Sequence, residues 1–135
     1  EHLDWSRFHE NHYDWWMFPI DRPSSFGFRF TVYTDEIRQL STTSGFLDRH
    51  RDACRLLLLS WGWDCSSSSE VAHPGHQQCW ANWPIRLEKC ARSMTLFSLT
   101  RELKQCQTYA QVLENRGASF LYNGRNLYDD IQSYR

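Results

Sequence analysis

Apolar residues recur every three or four positions through most of this chain, which is the spacing that places them on one face of an α-helix. The pattern predicts helices over residues 5–17, 46–61, 84–98 and 101–115. A shorter helix is expected from a cap at Thr34 through Leu40. The inward faces of these helices predict a core built around Trp15, Leu57, Leu58, Leu87, Met94 and Leu103.

Local signals mark where several helices begin and end. Asp4 precedes the first helix and can accept a backbone hydrogen bond, and Pro84 suits a first turn because that position needs no donor. Gly62 and Gly117 follow two helices, where glycine readily takes the left-handed conformation that ends a helix. We therefore expect a mainly α fold, a single-domain bundle of four to six helices that spans residues 1–135.

Three stretches depart from the helical period. Residues 26–32 alternate large apolar residues with glycine, arginine and threonine, which predicts a short strand. Residues 65–80 have no period and are rich in polar residues, which predicts a long surface loop. Asn123-Gly124 favours a hairpin, although residues 127–131 also suit a final helical turn. At most a short hairpin or strand should accompany the helices.

Charge and hydropathy exclude several classes of partner. The chain has 15 basic and 16 acidic residues, a net charge of -1, and no run of lysine or arginine that could follow a phosphate backbone. Its longest aliphatic run, residues 56–59, is far shorter than the roughly 20 residues that cross a bilayer. We expect a soluble protein that binds neither nucleic acid nor membrane.

The five cysteines bear on both location and chemistry. An odd number at irregular spacing argues against the disulfide framework of a secreted protein and favours reduced thiols in the cytoplasm. Cys54, Cys90 and Cys106 fall on predicted apolar faces, where a free thiol packs as a small hydrophobe. Cys65 and Cys79 lie in polar surroundings and could pair if oxidised.

The polar loop contains residues that could bind zinc. His73, His76, Cys65 and Cys79 are residue types that can complete a tetrahedral site. Zinc motifs usually pair their ligands in tight knuckles, whereas two of these residues flank Pro74-Gly75 in a loop without period. Solvated side chains are the favoured interpretation, and we predict no metal and no cofactor.

The tryptophans predict a ligand cleft. Trp61, Trp63, Trp80 and Trp83 bracket the polar loop, and aromatic side chains with a few polar groups are what ligand pockets are made of. The cleft is expected between the end of the first helix and residues 61–64, with ligand contacts from Trp16, Trp63, Trp83, Arg86 and Lys89. The alternative is a purely aromatic core in which the indole N–H groups donate to backbone carbonyls.

Two functions follow from that cleft. Arg86 lies one turn into the helix that Pro84 opens, and the N-terminus of a helix favours negative charge. The Arg86 guanidinium would point to the same place, so we predict a module that binds an anionic small molecule or peptide. The alternative is a small cofactor-free isomerase, cyclase or hydrolase. In that enzyme His12 with Asp14 or Asp64 would act as the base and Arg86 would hold the developing anion.

The order of several short motifs resembles a known helical family. His12-Tyr-x-Trp-Trp-Met-Phe-Pro19 precedes a helix with Glu36-Ile37, a leucine-rich helix that ends in Trp61-Gly62, and a later helix with Arg86-Leu87 and Arg92-Ser93. This order resembles the conserved region of opioid growth factor receptors and their microbial relatives. The segment from Arg92 to Phe97 is also similar to an uncharacterised bacterial helical family. Both resemblances imply a helical fold, and neither brings an established reaction.

Overall fold

The computed structural model of this protein describes residues 4–11, 17–23 and 27–135. Within these ranges the chain forms six helices and two short hairpins, which confirms a mainly α fold. The helices are α1 (Trp5–Glu10), α2 (Thr34–Thr42), α3 (Phe46–Ser60), α4 (Pro84–Leu96), α5 (Thr100–Asn115) and α6 (Leu127–Ser133). The strands are β1 (Trp63–Asp64), β2 (Ser69–Glu70), β3 (Leu121–Tyr122) and β4 (Arg125–Asn126).

Three long helices carry the core. Helix α4 packs against α5 and α6, and α3 packs against α5, so that α5 is shared by both contacts. The predicted core residues Leu57, Leu58, Leu87, Met94 and Leu103 are all buried, as the helical period indicated. Trp15, the sixth predicted core residue, lies outside the described ranges.

Helix α1 is shorter than predicted. Its start is correct, since the Asp4 carboxylate accepts a hydrogen bond from the Arg7 backbone N–H at 3.1 Å. The helix ends at Glu10 because Asn11 is extended, and the Asn11 side-chain amide donates to the Arg7 carbonyl at 2.9 Å. An asparagine side chain competes in this way for the last carbonyls of a helix. The prediction of one continuous helix over residues 5–17 is therefore wrong at Asn11.

The strand predicted over residues 26–32 is also wrong for its described part. Gly27 has a φ of +69°, and the Thr31 N–H donates to the Phe28 carbonyl, so the chain turns at this point. Thr31 forms an isolated parallel bridge with Ile20. Phe28 is 66% exposed whereas Val32 is buried, so the alternate apolar residues of the described part do not share one buried face.

The helix ends follow the sequence signals with small shifts. Gly62 follows α3 with a φ of +87°, as predicted, and Pro84 is the first residue of α4. Thr34 and Thr100 are the first residues of α2 and α5 and not their caps, which are Tyr33 and Leu99. A difference of one residue is common at helix termini.

Both alternatives for the C-terminal segment occur, one after the other. Strands β3 and β4 form a hairpin around Asn123 and Gly124, whose φ angles of 48° and 78° suit the tight turn. Helix α6 begins directly after β4, and the Asn126 side chain caps it by accepting from the Tyr128 N–H at 3.1 Å.

The predicted polar loop over residues 65–80 begins as a hairpin. Trp63 pairs with Glu70 and Asp64 with Ser69, so β1 and β2 extend directly from the end of α3. Further along, the Gln78 side-chain amide is buried and donates to the Leu59 carbonyl at 2.8 Å. This bond ties the loop to the last turn of α3.

No helix in the described part of the chain combines the length and apolarity needed to cross a membrane.

Candidate functional site

A cavity of about 680 Å³ lies between the second half of α3, strand β1 and the first turns of α5. We call it the α3–α5 groove. Its lining residues are Arg55, Leu56, Leu59, Trp63, Asp64, Cys65, Ser66, Ser68, Arg101, Glu102 and Gln105.

Trp63 and Gln105 fix one wall of the α3–α5 groove. The Trp63 indole N–H donates to the Gln105 side-chain oxygen at 3.0 Å, and the Gln105 amide donates to the Ser68 hydroxyl at 2.8 Å. The Trp63 ring also packs on Tyr109, with ring centroids 5.3 Å apart. Because both ends of the Gln105 amide are bonded, α5 holds β1 and the turn after it in a defined position.

Some charged side chains of the α3–α5 groove already form ion pairs within the protein, and one does not pair with any described residue. Glu102 is buried, and its carboxylate accepts a hydrogen bond from the Arg55 guanidinium at 3.1 Å. The Arg51 guanidinium lies 4.0 Å from the same carboxylate. Arg101 is exposed and makes no ion pair with any described residue. Arg101 is thus the guanidinium of this groove that remains available to a ligand.

Asp64 is engaged with the turn that follows it. Its Oδ1 accepts from the Ser66 hydroxyl at 2.5 Å and from the Ser66 N–H at 2.9 Å. These hydrogen bonds favour the carboxylate and lower the pKa of Asp64. Asp64 therefore shapes the turn and adds a negative charge to the groove.

A second cavity of about 630 Å³ continues along α3 toward its N-terminus. It shares Arg55, Arg101 and Glu102 with the α3–α5 groove. Its other lining residues are Asp48, Arg51, Asp52, Ser98, Leu99 and Thr100. Arg101 consequently borders both spaces.

Helix α1, the end of α3, the polar loop and α4 meet around His9. The His9 Nε2 lies 3.1 Å from the carbonyl oxygens of both Ser60 and Gln77. The Arg86 guanidinium donates to the His9 carbonyl at 3.0 Å and lies over the Trp83 ring at 4.7 Å. Arg86 is only 2% exposed, so its described contacts join α4 to α1.

The structure places the predicted ligand-binding and catalytic residues in two different surroundings. Trp63 and Asp64 line the α3–α5 groove, whereas Trp83, Arg86 and Lys89 line neither of the two cavities described above. Of these three, Lys89 is buried on α4 and Trp83 is partly exposed. Trp16, His12 and Asp14 lie outside the described ranges, so of the predicted catalytic set only Asp64 and Arg86 can be located.

The zinc alternative in the polar loop is not assembled. His73, His76 and Cys79 are exposed, and Cys65 is half-buried in the wall of the α3–α5 groove. All five cysteines are free, so Cys65 and Cys79 are not bonded to each other.

A different group of metal-ligating side chains lies in the core. Among residues 4–11, 17–23 and 27–135, only Cys54, Cys90 and Cys106 form a set of three or more ligand atoms within reach of one ion. The Cys106 Sγ lies 3.7 Å from that of Cys54 and 3.8 Å from that of Cys90. The sequence correctly marked each thiol as inward-facing, but it gave no sign that the three meet.

Sequence reasoning also missed a buried ionic cluster at the chain ends. The Glu88 carboxylate on α4 is buried and accepts hydrogen bonds from Arg22 and from the Tyr134 hydroxyl. Nearby, Arg92 forms a bidentate pair with Asp21 at 3.0 and 2.6 Å. These contacts attach both the segment before α2 and the C-terminal residues to α4. An acidic residue at an inward position of α4 was the signal available in the sequence.

Comparison with protein-family models, with curated proteins and with solved structures gives no match. The resemblance to the opioid growth factor receptor region therefore stays a prediction.

Proposed function

We propose that this protein is a binding module that holds a small molecule or peptide with one anionic group in the α3–α5 groove. The observation that supports this proposal most is the combination of Arg101, which has no ionic partner among the described residues, with the apolar side chains of Leu56 and Leu59. The volume of about 680 Å³ falls within the roughly 300–1,000 Å³ typical of ligand pockets.

Arg101 is a better anion holder than the other arginine of the groove. Arg55 is bonded to the buried Glu102 carboxylate and lies 3.8 Å from Asp52. Drawing Arg55 away would leave a buried carboxylate short of a partner, which is costly. The guanidinium N–H groups of Arg101 can instead donate to a carboxylate or phosphate without breaking an existing ion pair.

The remaining groove residues limit the kind of ligand. Leu56, Leu59 and Cys65 offer apolar surface, while Ser66 and Ser68 offer hydroxyl groups at the rim. Asp64 and Glu102 add two negative charges, which would repel a polyanion. We infer a ligand with an apolar body and a single negative charge.

The alternative hypothesis of a cofactor-free enzyme receives no support from the described residues. The hydrogen bonds from Ser66 that lower the pKa of Asp64 make this carboxylate a weaker base. His12 and Asp14, the other candidate bases, lie outside the described ranges. A cytoplasmic location likewise stays a prediction from the cysteines.

A panel of alkyl and aryl carboxylates, each paired with its neutral primary amide, tests the proposal. Binding is measured by isothermal titration for wild type, Arg101→Gln and the matched control Arg38→Gln on α2, where Arg38 pairs with exposed Asp35. A charge-assisted hydrogen bond contributes roughly 1.5–3 kcal/mol, so at least one carboxylate should bind about tenfold more tightly than its amide. Arg101→Gln should remove that preference and Arg38→Gln should keep it. The same preference in all three proteins would contradict the role of Arg101.

A further inference from the structure

We propose that Cys54, Cys90 and Cys106 form a buried site for a soft metal ion of low coordination number, and that monovalent copper fits it best. The site lies in the core where α3, α4 and α5 meet, and it is independent of the function proposed for the α3–α5 groove. Each sulfur comes from a different helix, so one bound ion would link all three long helices.

The spacing of the sulfur atoms suits one central ion. Sulfur ligands at about 2.3 Å from a shared ion lie roughly 3.8–4.0 Å from one another. Two of the three separations, at 3.7 and 3.8 Å, already have this length. The third is no more than 4.8 Å, so a closure of at most about 0.8 Å completes the triangle. Side-chain adjustment within the packed core is enough for that change.

The ligand set selects the ion. All three donors are thiols, and no imidazole or carboxylate of the described residues joins the group. Soft sulfur ligands select soft ions such as monovalent copper, whereas structural zinc almost always takes four ligands. Three sulfurs in apolar surroundings, without a fourth donor in the group, therefore favour copper over zinc.

Binding of the ion is coupled to loss of protons, because a thiol binds a metal as the thiolate. When the ion binds, the sulfurs release their protons to solvent and no electron is transferred. Affinity should consequently rise with pH.

The test uses monovalent copper itself as the probe. Fully reduced protein is refolded from urea under nitrogen with one equivalent of the copper acetonitrile complex, desalted, and weighed by native mass spectrometry. A chromogenic copper chelator then gives the affinity by competition. The variants are Cys54→Ala and Cys90→Ala, with Cys79→Ala as the control because Cys79 is exposed and outside the cluster. Circular dichroism checks that each protein is folded.

Wild type and Cys79→Ala should each retain one copper ion, and Cys54→Ala and Cys90→Ala should bind at least tenfold more weakly. If one core variant does not fold, the other decides the result, and Cys106→Ser serves as a third. Folded wild type without copper, or core variants that bind as tightly as wild type, would overturn the site. Zinc bound more tightly than copper and lost in the same variants would overturn the assignment to copper.

Discussion

The imidazole Nε2 of His50 on α3 lies 2.9 Å from the hydroxyl oxygen of Ser93 on α4, and both side chains are buried. Three aromatic rings surround His50, with centroids at 5.0 Å for Phe97, 5.3 Å for Phe46 and 6.0 Å for Phe18. Burial among these rings lowers the pKa of His50 from its ordinary value of 6.5 to about 4. The imidazole is therefore neutral at physiological pH.

This pKa predicts a loss of stability in acid. Between pH 6.5 and pH 4 the unfolded state binds more protons at this site than the folded state does, so the free energy of unfolding falls as the pH falls through that window. The loss should be on the order of 3 kcal/mol. Urea unfolding at a series of pH values from 7 to 4 measures it.

The matched variant is His50→Gln, which keeps a polar group for Ser93 but does not titrate. Its curve of stability against pH should be flatter than that of wild type over this window. Ser93→Ala retains the imidazole and should keep the wild-type slope. Parallel curves for wild type and His50→Gln would show that another group causes the acid loss.

The long helices could be predicted from the sequence because they are governed by a local rule. The predicted ranges 46–61, 84–98 and 101–115 agree with α3, α4 and α5 to within two residues. A period near 3.6 reveals both the helix and its inward face. Where local groups compete with that period, as the Asn11 side chain does at the end of α1, the prediction failed.

Leu57 tests the core that was predicted in this way. It is fully buried on α3, so Leu57→Ala should lower the free energy of unfolding by about 2–5 kcal/mol. Leu121→Ala is the control, because Leu121 is 69% exposed and its truncation should change stability by less than about 0.5 kcal/mol. Equal midpoints of urea unfolding for the two variants would contradict the packing described here.

The candidate sites were harder to predict because they join residues far apart in the chain. The helical spacing of apolar residues in the sequence indicates that Cys54 and Cys106 face inward. It does not indicate that their sulfur atoms lie 3.7 Å apart. Arg86 was expected to hold a ligand because of its position near a helix N-terminus, yet it is buried against α1. Such pairings depend on how the helices pack, which a single sequence does not reveal.

The ionic cluster around Glu88 offers a third prediction. Arg22→Met should destabilise the protein by roughly 1–3 kcal/mol, because it leaves a buried carboxylate with one fewer donor. Replacing both residues, in Arg22→Met with Glu88→Met, should recover much of that loss, since the unpaired charge is gone. Urea unfolding of the two single variants and the double variant measures the coupling.

Arg38→Met is the control for that series. Arg38 pairs with Asp35 at 3.4 Å on the exposed surface of α2, where an ion pair contributes little. We expect a change of less than about 0.5 kcal/mol. If Arg22→Met has an effect as small as that of Arg38→Met, the Glu88 cluster does not stabilise the folded state.

The central claim is that the α3–α5 groove is the ligand site, and the most direct test is to map binding by heteronuclear nuclear magnetic resonance. The tightest carboxylate from the panel is added to ¹⁵N-labelled protein, and shifts are followed for indole, side-chain amide and backbone signals. We predict that the largest shifts occur at the Trp63 indole, the Gln105 side-chain amide and the backbone of Ser66, all in the groove wall. Largest shifts at the Trp83 indole and in α1, with the Trp63 and Gln105 signals unmoved, would contradict the claim.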